Sequence, residues 1–192
     1  MKKVYIIHGW GGSPDEPLHK WLASELRKEG FEVVIPVMPN TDEPTIEAWV
    51  NKLNETIGKN PNENTILIGH SIGCQAILRY VAGLENSGFF GGMVFIAPWL
   101  KVSGLETEEE KSIAKLWVEP PIDYLKVLEH IPKNKITAIF SDNDPFVPKE
   151  NWEEFESLFG AKIIVESRKG HFTADDGINT LPSALEAVLK MK

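Results

Sequence analysis

Cysteine and basic residues are both scarce in this sequence. Cys74 is the single cysteine among 192 residues, and one cysteine cannot form an intramolecular disulfide. This excludes a disulfide-stapled scaffold and favours a reducing, cytoplasmic compartment. The 20 lysines and arginines are outnumbered by 28 aspartates and glutamates, which gives a formal net charge of −8. Because nucleic-acid binding needs a basic surface, we expect no nucleic-acid partner.

Long hydrophobic runs are missing as well. No stretch approaches the roughly 20 apolar residues that a membrane-spanning helix needs. The apolar run 4–7 behind the two N-terminal lysines is shorter than the roughly 7–15 residues of a secretory signal. We therefore expect an unprocessed chain without a membrane partner. The sequence also has no internal repeat, low-complexity tract or linker, and its length suits one domain over residues 1–192.

Short β-branched runs alternate with amphipathic runs along the whole chain. The predicted strands are Val4–His8, Glu32–Val37, Asn64–Gly69, Gly92–Ala97, Ile136–Ser141 and Lys162–Val165. The predicted helices are Pro17–Lys28, Thr45–Ile57, Ile72–Leu84, Ile122–His130, Pro148–Leu158 and Thr180–Lys190. This alternation predicts an α/β fold, namely a three-layer αβα sandwich around a mostly parallel sheet of about six strands.

Residues 98–121 interrupt this alternation after the fourth strand. The segment contains Trp99, Trp117 and the Pro120–Pro121 pair, and we expect some helical content in it. Its acidic run 108–110 is typical of a solvated helix face. Long connections of this kind often form a small lid or a pocket wall. An edge decoration without a role in binding is an equally good interpretation.

The pattern Gly-x-Ser-x-Gly occurs as Gly69, Ser71 and Gly73, between a buried strand and an apolar helix. In hydrolases of the α/β type this pattern forms a sharp turn that exposes the serine above the sheet as a nucleophile. Glycine is needed on both sides because the strand and the helix nearly touch there. We therefore predict Ser71 as a nucleophile. The alternative is that Ser71 serves only as the helix N-cap.

A second glycine-rich segment, residues 8–12, directly follows the first strand. Acyl transfer needs two backbone N–H groups aimed at an oxyanion, one after the nucleophile and one from a neighbouring loop. The amides of Ile72 and Trp10 meet this description, and His8 is expected to brace the loop through hydrogen bonds. A nucleotide-binding loop is disfavoured, because Pro14 replaces the third glycine of G-x-G-x-x-G.

A base and an acid are expected on loops after later strands, in the order serine, acid, histidine. His171 is the histidine that lies on a loop beyond the last predicted strand, and we predict it as the base. Asp142 and Asp144 both follow the fifth predicted strand, and spacing alone does not choose between them. Both loops lie at carboxyl ends of strands, where open α/β sheets bind their ligands.

Four ordered motifs, HGWGGSP, GHSIG, SDNDPFVP and KGHF, together span almost the whole chain. With them the sequence resembles the YdeN-like, retinoblastoma-binding protein 9 family of small serine hydrolases. The resemblance implies an α/β-hydrolase fold without its first two strands and a triad of Ser71, Asp144 and His171. It favours Asp144 over Asp142 because the family places its acid directly before a proline. The family leaves the substrate undefined.

From these observations we expect hydrolysis of an ester, thioester or amide bond in a small molecule or short peptide, through an acyl-enzyme on Ser71. We expect no cofactor and no metal. A non-catalytic scaffold and an acyltransferase on the same fold are the alternatives. Candidates for an apolar pocket are Trp10, Trp99, Trp117 and Phe146, which are equally suited to the core. The sequence makes no prediction of the oligomeric state.

Overall fold

The computed structural model describes residues 1–85 and 88–191. Its strands are β1 (Lys3–Ile7), β2 (Glu32–Val34), β3 (Thr65–His70), β4 (Gly92–Ile96), β5 (Ile136–Ser141) and β6 (Lys162–Glu166). They form one six-stranded sheet in the order β2-β1-β3-β4-β5-β6, and each neighbouring pair is parallel. The predicted α/β fold with a parallel sheet of about six strands is confirmed.

Seven α-helices occur within the described residues. They are α1 (Pro17–Lys28), α2 (Ile46–Ile57), α3 (Ile72–Ala82), α4 (Glu108–Val118), α5 (Tyr124–Glu129), α6 (Glu150–Phe159) and α7 (Pro182–Leu189). Helices α2, α3, α5 and α6 contact one another in that order, whereas α1 packs against α7. The two groups cover the two faces of the sheet, which makes the three layers of the sandwich. None of these helices has the length and apolar character needed to cross a bilayer.

The inner strands are covered on both faces. Every residue of β4 and β5 is buried, as are five of the six residues of β3. The edge strands β2 and β6 carry exposed positions. This burial explains why the inner strands are continuous apolar runs in the sequence, because a parallel strand between two helical layers has no solvent-facing side.

Most predicted strands and helices begin or end within one or two residues of the observed ones, and β2 shows the largest difference. Strand β2 ends at Val34, three residues before the predicted end, and Pro36 just beyond it has no amide hydrogen for a strand ladder. Helix α4 occupies part of the 98–121 segment, for which no boundaries were predicted. Thr107 begins this helix, because its hydroxyl accepts the Glu110 amide while the Glu110 carboxylate accepts the Thr107 amide. This reciprocal cap is a strong helix start.

A tight turn joins β3 to α3, and Ser71 occupies it with φ +52° and ψ −121°. A Cβ atom on Gly69 would lie 2.8 Å from the Cα of Cys74. A Cβ atom on Gly73 would lie 2.4 Å from the carbonyl oxygen of Ile7 in β1. Both distances are far inside van der Waals contact. The two glycines therefore allow α3 to approach β1 and β3 as closely as it does.

The sheet order creates a crevice at its centre. The connection that leaves the carboxyl end of β1 leads through α1 to β2, on one side of β1. The connection that leaves the carboxyl end of the neighbouring strand β3 leads through α3 to β4, in the opposite direction along the sheet. Ligands of open α/β sheets bind at such a switch point. Segment 8–12 after β1 and Ser71 after β3 both border this crevice.

Substituting Gly73 by alanine is expected to lower the free energy of unfolding by about 1–3 kcal/mol or more, because the added methyl group overlaps backbone oxygens. Gly83→Ala is the matched control. Its Cβ would lie 3.4 Å from the Arg79 oxygen, and its φ of −87° suits alanine, so unchanged or slightly higher stability is expected. Urea unfolding followed by circular dichroism measures both variants. Equal stability of the two would contradict the steric account.

Candidate active site

Ser71 lies at the carboxyl end of β3, directly before the first residue of α3. It occupies the N-cap position, but its side chain makes no capping hydrogen bond. Its Oγ instead lies 2.8 Å from Nε2 of His171, a residue 100 positions further along the chain. The indole Nε1 of Trp99 also lies 3.4 Å from this Oγ. The Ser71 hydroxyl is therefore used for contacts above the sheet rather than for helix capping.

The ring of His171 connects Ser71 to a buried carboxylate. His171 Nδ1 lies 2.8 Å from Oδ2 of Asp144, whose side chain is only 1% exposed. The other oxygen, Oδ1, accepts the backbone amides of Phe146 at 2.9 Å and Val147 at 3.2 Å. A carboxylate accepts hydrogen bonds, so Nδ1 carries the proton and Nε2 is left to accept the Ser71 hydroxyl. The structure thus brings Ser71, His171 and Asp144 into one hydrogen-bonded chain.

Asp142 is the second candidate acid, which its position in the sequence did not exclude, and it has different contacts. Its oxygens accept the Arg168 amide at 2.7 Å and the Ser167 hydroxyl at 2.9 Å. The hydrogen bond from the Arg168 amide, followed by that from Ser167, lowers the pKa of Asp142. Asp142 therefore stabilises the turn that follows β6, while Asp144 contacts the imidazole.

Two backbone amides near Ser71 have no acceptor among the residues that the structure describes. Ile72 is the first residue of α3, so its amide has no intrahelical partner. In segment 8–12, the Gly11 amide donates to the Thr41 carbonyl at 2.8 Å, whereas the Trp10 amide has no acceptor within residues 1–85 and 88–191. The Trp10 indole donates to the Asp42 carbonyl at 2.8 Å, which anchors this loop. Ile72 and Trp10 are the residues whose amides were expected to serve an oxyanion.

Two further histidines brace the loops around Ser71. His8 Nδ1 donates to the Gly9 carbonyl at 3.0 Å, and His8 Nε2 accepts the Met38 amide at 3.3 Å. His70 Nε2 donates to the backbone carbonyl of His171 at 2.8 Å. The loop-bracing hydrogen bonds expected of His8 are therefore present, and His70 adds a contact that the sequence analysis did not predict.

A cavity of about 500 Å³ opens beside Ser71. Its apolar lining comes from Trp10, Trp99, Val102, Leu105, Ala114 and Phe146, and its acidic lining from Glu16, Glu110 and Asp175. No lysine or arginine of the described chain lines it. Segment 98–121 thus contributes to the cavity, through residues before α4 and through α4 itself.

Trp117 requires a correction, because it was a candidate pocket residue and does not line this cavity. Its side chain is fully buried, and its ring centroid lies 5.9 Å from that of Trp49 in an edge-to-face contact. Its indole nitrogen donates to the Pro44 carbonyl at 2.9 Å. Trp117 therefore joins α4 to α2 as part of the core, which is the alternative that its apolar character left open.

Comparisons with known proteins identify the family of this chain. The sequence model of the family described as serine hydrolase matches residues 4–190. The chain belongs to this family. Similar proteins include YdeN of Bacillus subtilis (strain 168), which is 30% identical over 94% of this chain and 91% of YdeN. Serine hydrolase RBBP9 of Rattus norvegicus is 26% identical over 88% of this chain and 87% of its own length.

A solved structure supports the same grouping. The crystal structure of the ydeN gene product from B. subtilis matches this chain with a TM-score of 0.88 and 28% sequence identity, and the match covers 100% of this chain and 98% of that one. The resemblance inferred from the four sequence motifs is confirmed, and so is the α/β-hydrolase type of fold.

The loop that carries His171 in this serine hydrolase depends on Asp176. Oδ2 of Asp176 accepts the backbone amides of His171 at 2.9 Å and Thr173 at 3.1 Å, and the Thr173 hydroxyl at 2.7 Å. Burial acts to raise the pKa of Asp176, but the hydrogen bonds from Thr173 and the His171 amide outweigh it and lower the pKa. Asp176 follows the histidine in sequence, whereas the expected order places the acid before it, and the sequence analysis did not predict the role of Asp176 in this loop.

Cys74 lies three residues after Ser71 in sequence and does not line the cavity. Its side chain is buried, and burial raises the pKa of the thiol well above its ordinary value. Its Sγ lies 3.5 Å from the Ile96 carbonyl oxygen. A buried thiol of raised pKa stays protonated and unreactive.

Asp176→Ala is expected to slow the reaction of Ser71 with a fluorophosphonate probe by about 10- to 100-fold, because the loop that positions His171 loses its acceptor. Asp176→Asn keeps one side-chain oxygen as an acceptor and should retain more of the rate. Glu186→Ala, at an exposed carboxylate on α7, is the control and should match the unmodified protein. A rate for Asp176→Ala equal to that of Glu186→Ala would contradict the positioning role.

Proposed function

We propose that this serine hydrolase cleaves ester, thioester or amide bonds through an acyl-enzyme on Ser71. The observation that carries the proposal is the chain of two 2.8 Å contacts that links the Ser71 hydroxyl, the His171 ring and the Asp144 carboxylate. Serine alone is a weak nucleophile and needs an adjacent base that is itself oriented by a third group. These three side chains have the residue types and the contacts for those roles.

The proposed reaction has two steps. Ser71 Oγ attacks the substrate carbonyl carbon while its proton passes to His171 Nε2, and the leaving group departs with that proton. A water molecule then attacks the acyl-enzyme and gives a proton to His171 Nε2. The ester bond to Ser71 breaks, His171 returns that proton to Ser71 Oγ, and the acid is released. Asp144 keeps the proton of the neutral ring on Nδ1 and stabilises the imidazolium that forms in each step.

The amides of Trp10 and Ile72 are proposed to stabilise the oxyanion. Negative charge develops on the carbonyl oxygen when Ser71 attacks, and pre-positioned N–H groups lower the energy of that state. Neither amide donates a hydrogen bond to an acceptor among the described residues. The start of α3 adds a favourable dipole at the same place, because a helix N-terminus attracts negative charge.

The cavity favours a small-molecule or short-peptide substrate with a hydrophobic or aromatic acyl group. The rings of Trp99 and Phe146 lie among its apolar walls. Glu110 and Asp175 add carboxylates without a matching lysine or arginine, so a neutral or cationic substrate is favoured over an anionic one. We infer a cytoplasmic location from the single, unpaired Cys74.

Ser71→Ala is expected to abolish covalent labelling by a fluorophosphonate probe, because the proposed nucleophile loses its hydroxyl. Ser157→Ala, on the exposed side of α6, is the control and should label as the unmodified protein does. In-gel fluorescence of the probe measures both. Undiminished labelling of Ser71→Ala would contradict the assignment, and absence of labelling in the unmodified protein would favour the scaffold alternative.

Asp144→Asn is expected to lower kcat on a p-nitrophenyl ester by about 10³- to 10⁴-fold, by analogy with a serine protease in which the same change disturbs the histidine tautomer. Asp142→Asn is the matched control two residues away, and a much smaller loss is expected because Asp142 contacts the 167–168 turn instead. Steady-state kinetics on both variants test the choice of acid. A larger loss for Asp142→Asn would reverse it.

A further inference from the structure

A second cluster of side chains lies against the wall of the Ser71 cavity. One ring nitrogen of His19, one of His70 and one carboxylate oxygen of Glu16 all lie within 4.8 Å of one another. His19 is 0% exposed and His70 3% exposed. Glu16 and His70 also line the cavity. None of the three transfers a proton in the proposed reaction, so their convergence needs a separate explanation.

The hydrogen bond of His70 defines its free nitrogen. His70 Nε2 faces the His171 carbonyl oxygen at 2.8 Å, and a carbonyl oxygen only accepts, so Nε2 carries the ring proton. Nδ1 therefore carries a lone pair, and it has no hydrogen-bond partner among the described residues. Histidines that bind metals adopt this arrangement, with the second ring nitrogen donating to a carbonyl or carboxylate.

His19 is still less satisfied. Both of its ring nitrogens are buried, and neither has a hydrogen-bond partner of good geometry within the part of the chain that the structure describes. The backbone of Ser13 lies close enough to favour the protonated ring and so opposes the lowering of the His19 pKa by burial. The Nδ1 atom of His19 lies 3.2 Å from Oε2 of Glu16, but the two are not aligned as a hydrogen bond. Ligand atoms that are each 2.0–2.1 Å from a tetrahedral Zn²⁺ lie about 3.3 Å apart. The separation of the two atoms therefore suits a shared metal ion.

The ring geometry and the neutral state of the two histidines agree with metal ligation, whereas burial raises the pKa of the third ligand, Glu16. The rings of His19 and His70 lie 5.6 Å apart at 70° to each other. Burial lowers the pKa of His19 to about 4 and that of His70 well below its ordinary value, so both rings are neutral near pH 7. A neutral imidazole is the form that binds metals. The other carboxylate oxygen of Glu16 accepts the Ser13 amide at 3.1 Å, which holds the side chain in place.

We propose that Glu16, His19 and His70 bind a divalent transition metal ion, with Zn²⁺ as the best match. Two imidazoles and one carboxylate form a ligand set that zinc uses when a fourth position is left open. Mg²⁺ and Ca²⁺ are poor candidates, because they prefer oxygen ligands. Since Glu16 and His70 border the cavity, the fourth position is available to water from that side.

The proposed ion has a consequence for the neighbouring site. It is bound to one nitrogen of His70 while the other nitrogen holds the backbone carbonyl of His171. Metal binding therefore fixes the His70 ring and, through it, the loop that carries His171. This places the ion in a positioning role, outside the bond-breaking steps.

The test uses the full chain without an affinity tag, stripped with EDTA and dialysed. Calorimetric titration with Zn²⁺ is expected to give one site per chain, and thermal unfolding at about 100 times the Kd should show a Tm rise of roughly 5–10 °C. Co²⁺ in place of zinc should give the visible absorption of a tetrahedral site. If a bridging water occupies the site in place of an ion, added Zn²⁺ would leave Tm unchanged and added Co²⁺ would show only the spectrum of the aqueous ion. Either result would overturn the proposal.

Variants locate the ion. Glu16→Gln and His19→Gln are expected to weaken Zn²⁺ binding by at least about tenfold, whereas Asp15→Asn, at the exposed neighbouring carboxylate, should not. The Glu16 side chain is 30% exposed, so Glu16→Gln carries the test if the buried His19→Gln does not fold. His171→Ala should retain binding. Unchanged affinity in Glu16→Gln, or loss confined to His171→Ala, would overturn the proposal.

Discussion

The close contact of helix α3 with the ends of β1 and β3 is the constraint on which the site depends. At Gly69 and Gly73 there is no room for a side chain, because the backbone atoms of Cys74 and Ile7 occupy the space. This contact holds Ser71 in a left-handed conformation that few residues other than glycine adopt. The turn then directs the Ser71 hydroxyl into the crevice at the centre of the sheet, which segment 8–12 after β1 also borders.

The second requirement is that a distant loop holds the imidazole against that hydroxyl. Side chains accept backbone amides along the loop: Asn143 accepts the Gly170 amide, and Asp176 accepts the His171 amide. His70 binds the His171 carbonyl from the other side. Because these contacts involve the main chain, they fix the position of the His171 backbone. The contact of Asp144 with Nδ1 then fixes the orientation of the imidazole ring. Positioning of this kind is what converts a weak serine nucleophile into a reactive one.

The sequence predicts those parts of the site that depend on local patterns. The turn at Ser71 is recognisable because steric contact requires a glycine two residues before and two residues after the serine. The inner strands are recognisable because burial on both faces makes them apolar throughout. The choice between Asp142 and Asp144 required the family resemblance, because both residues lie on the loop after β5 and their positions in the sequence do not show which one reaches the histidine. Asp176 was missed because an acceptor of backbone amides leaves no periodic signal. The contact of His19 with His70 was not predictable, since it arises only when α1 packs near the end of β3.

The central claim, that Ser71 carries the acyl group during turnover, is tested most directly by trapping the intermediate. The unmodified protein is mixed with an activated ester and quenched in acid during turnover, and its peptides are then sequenced by tandem mass spectrometry. The account predicts the mass of the acyl group on Ser71 and on no other residue. Turnover accompanied by acylation of a different side chain would contradict it.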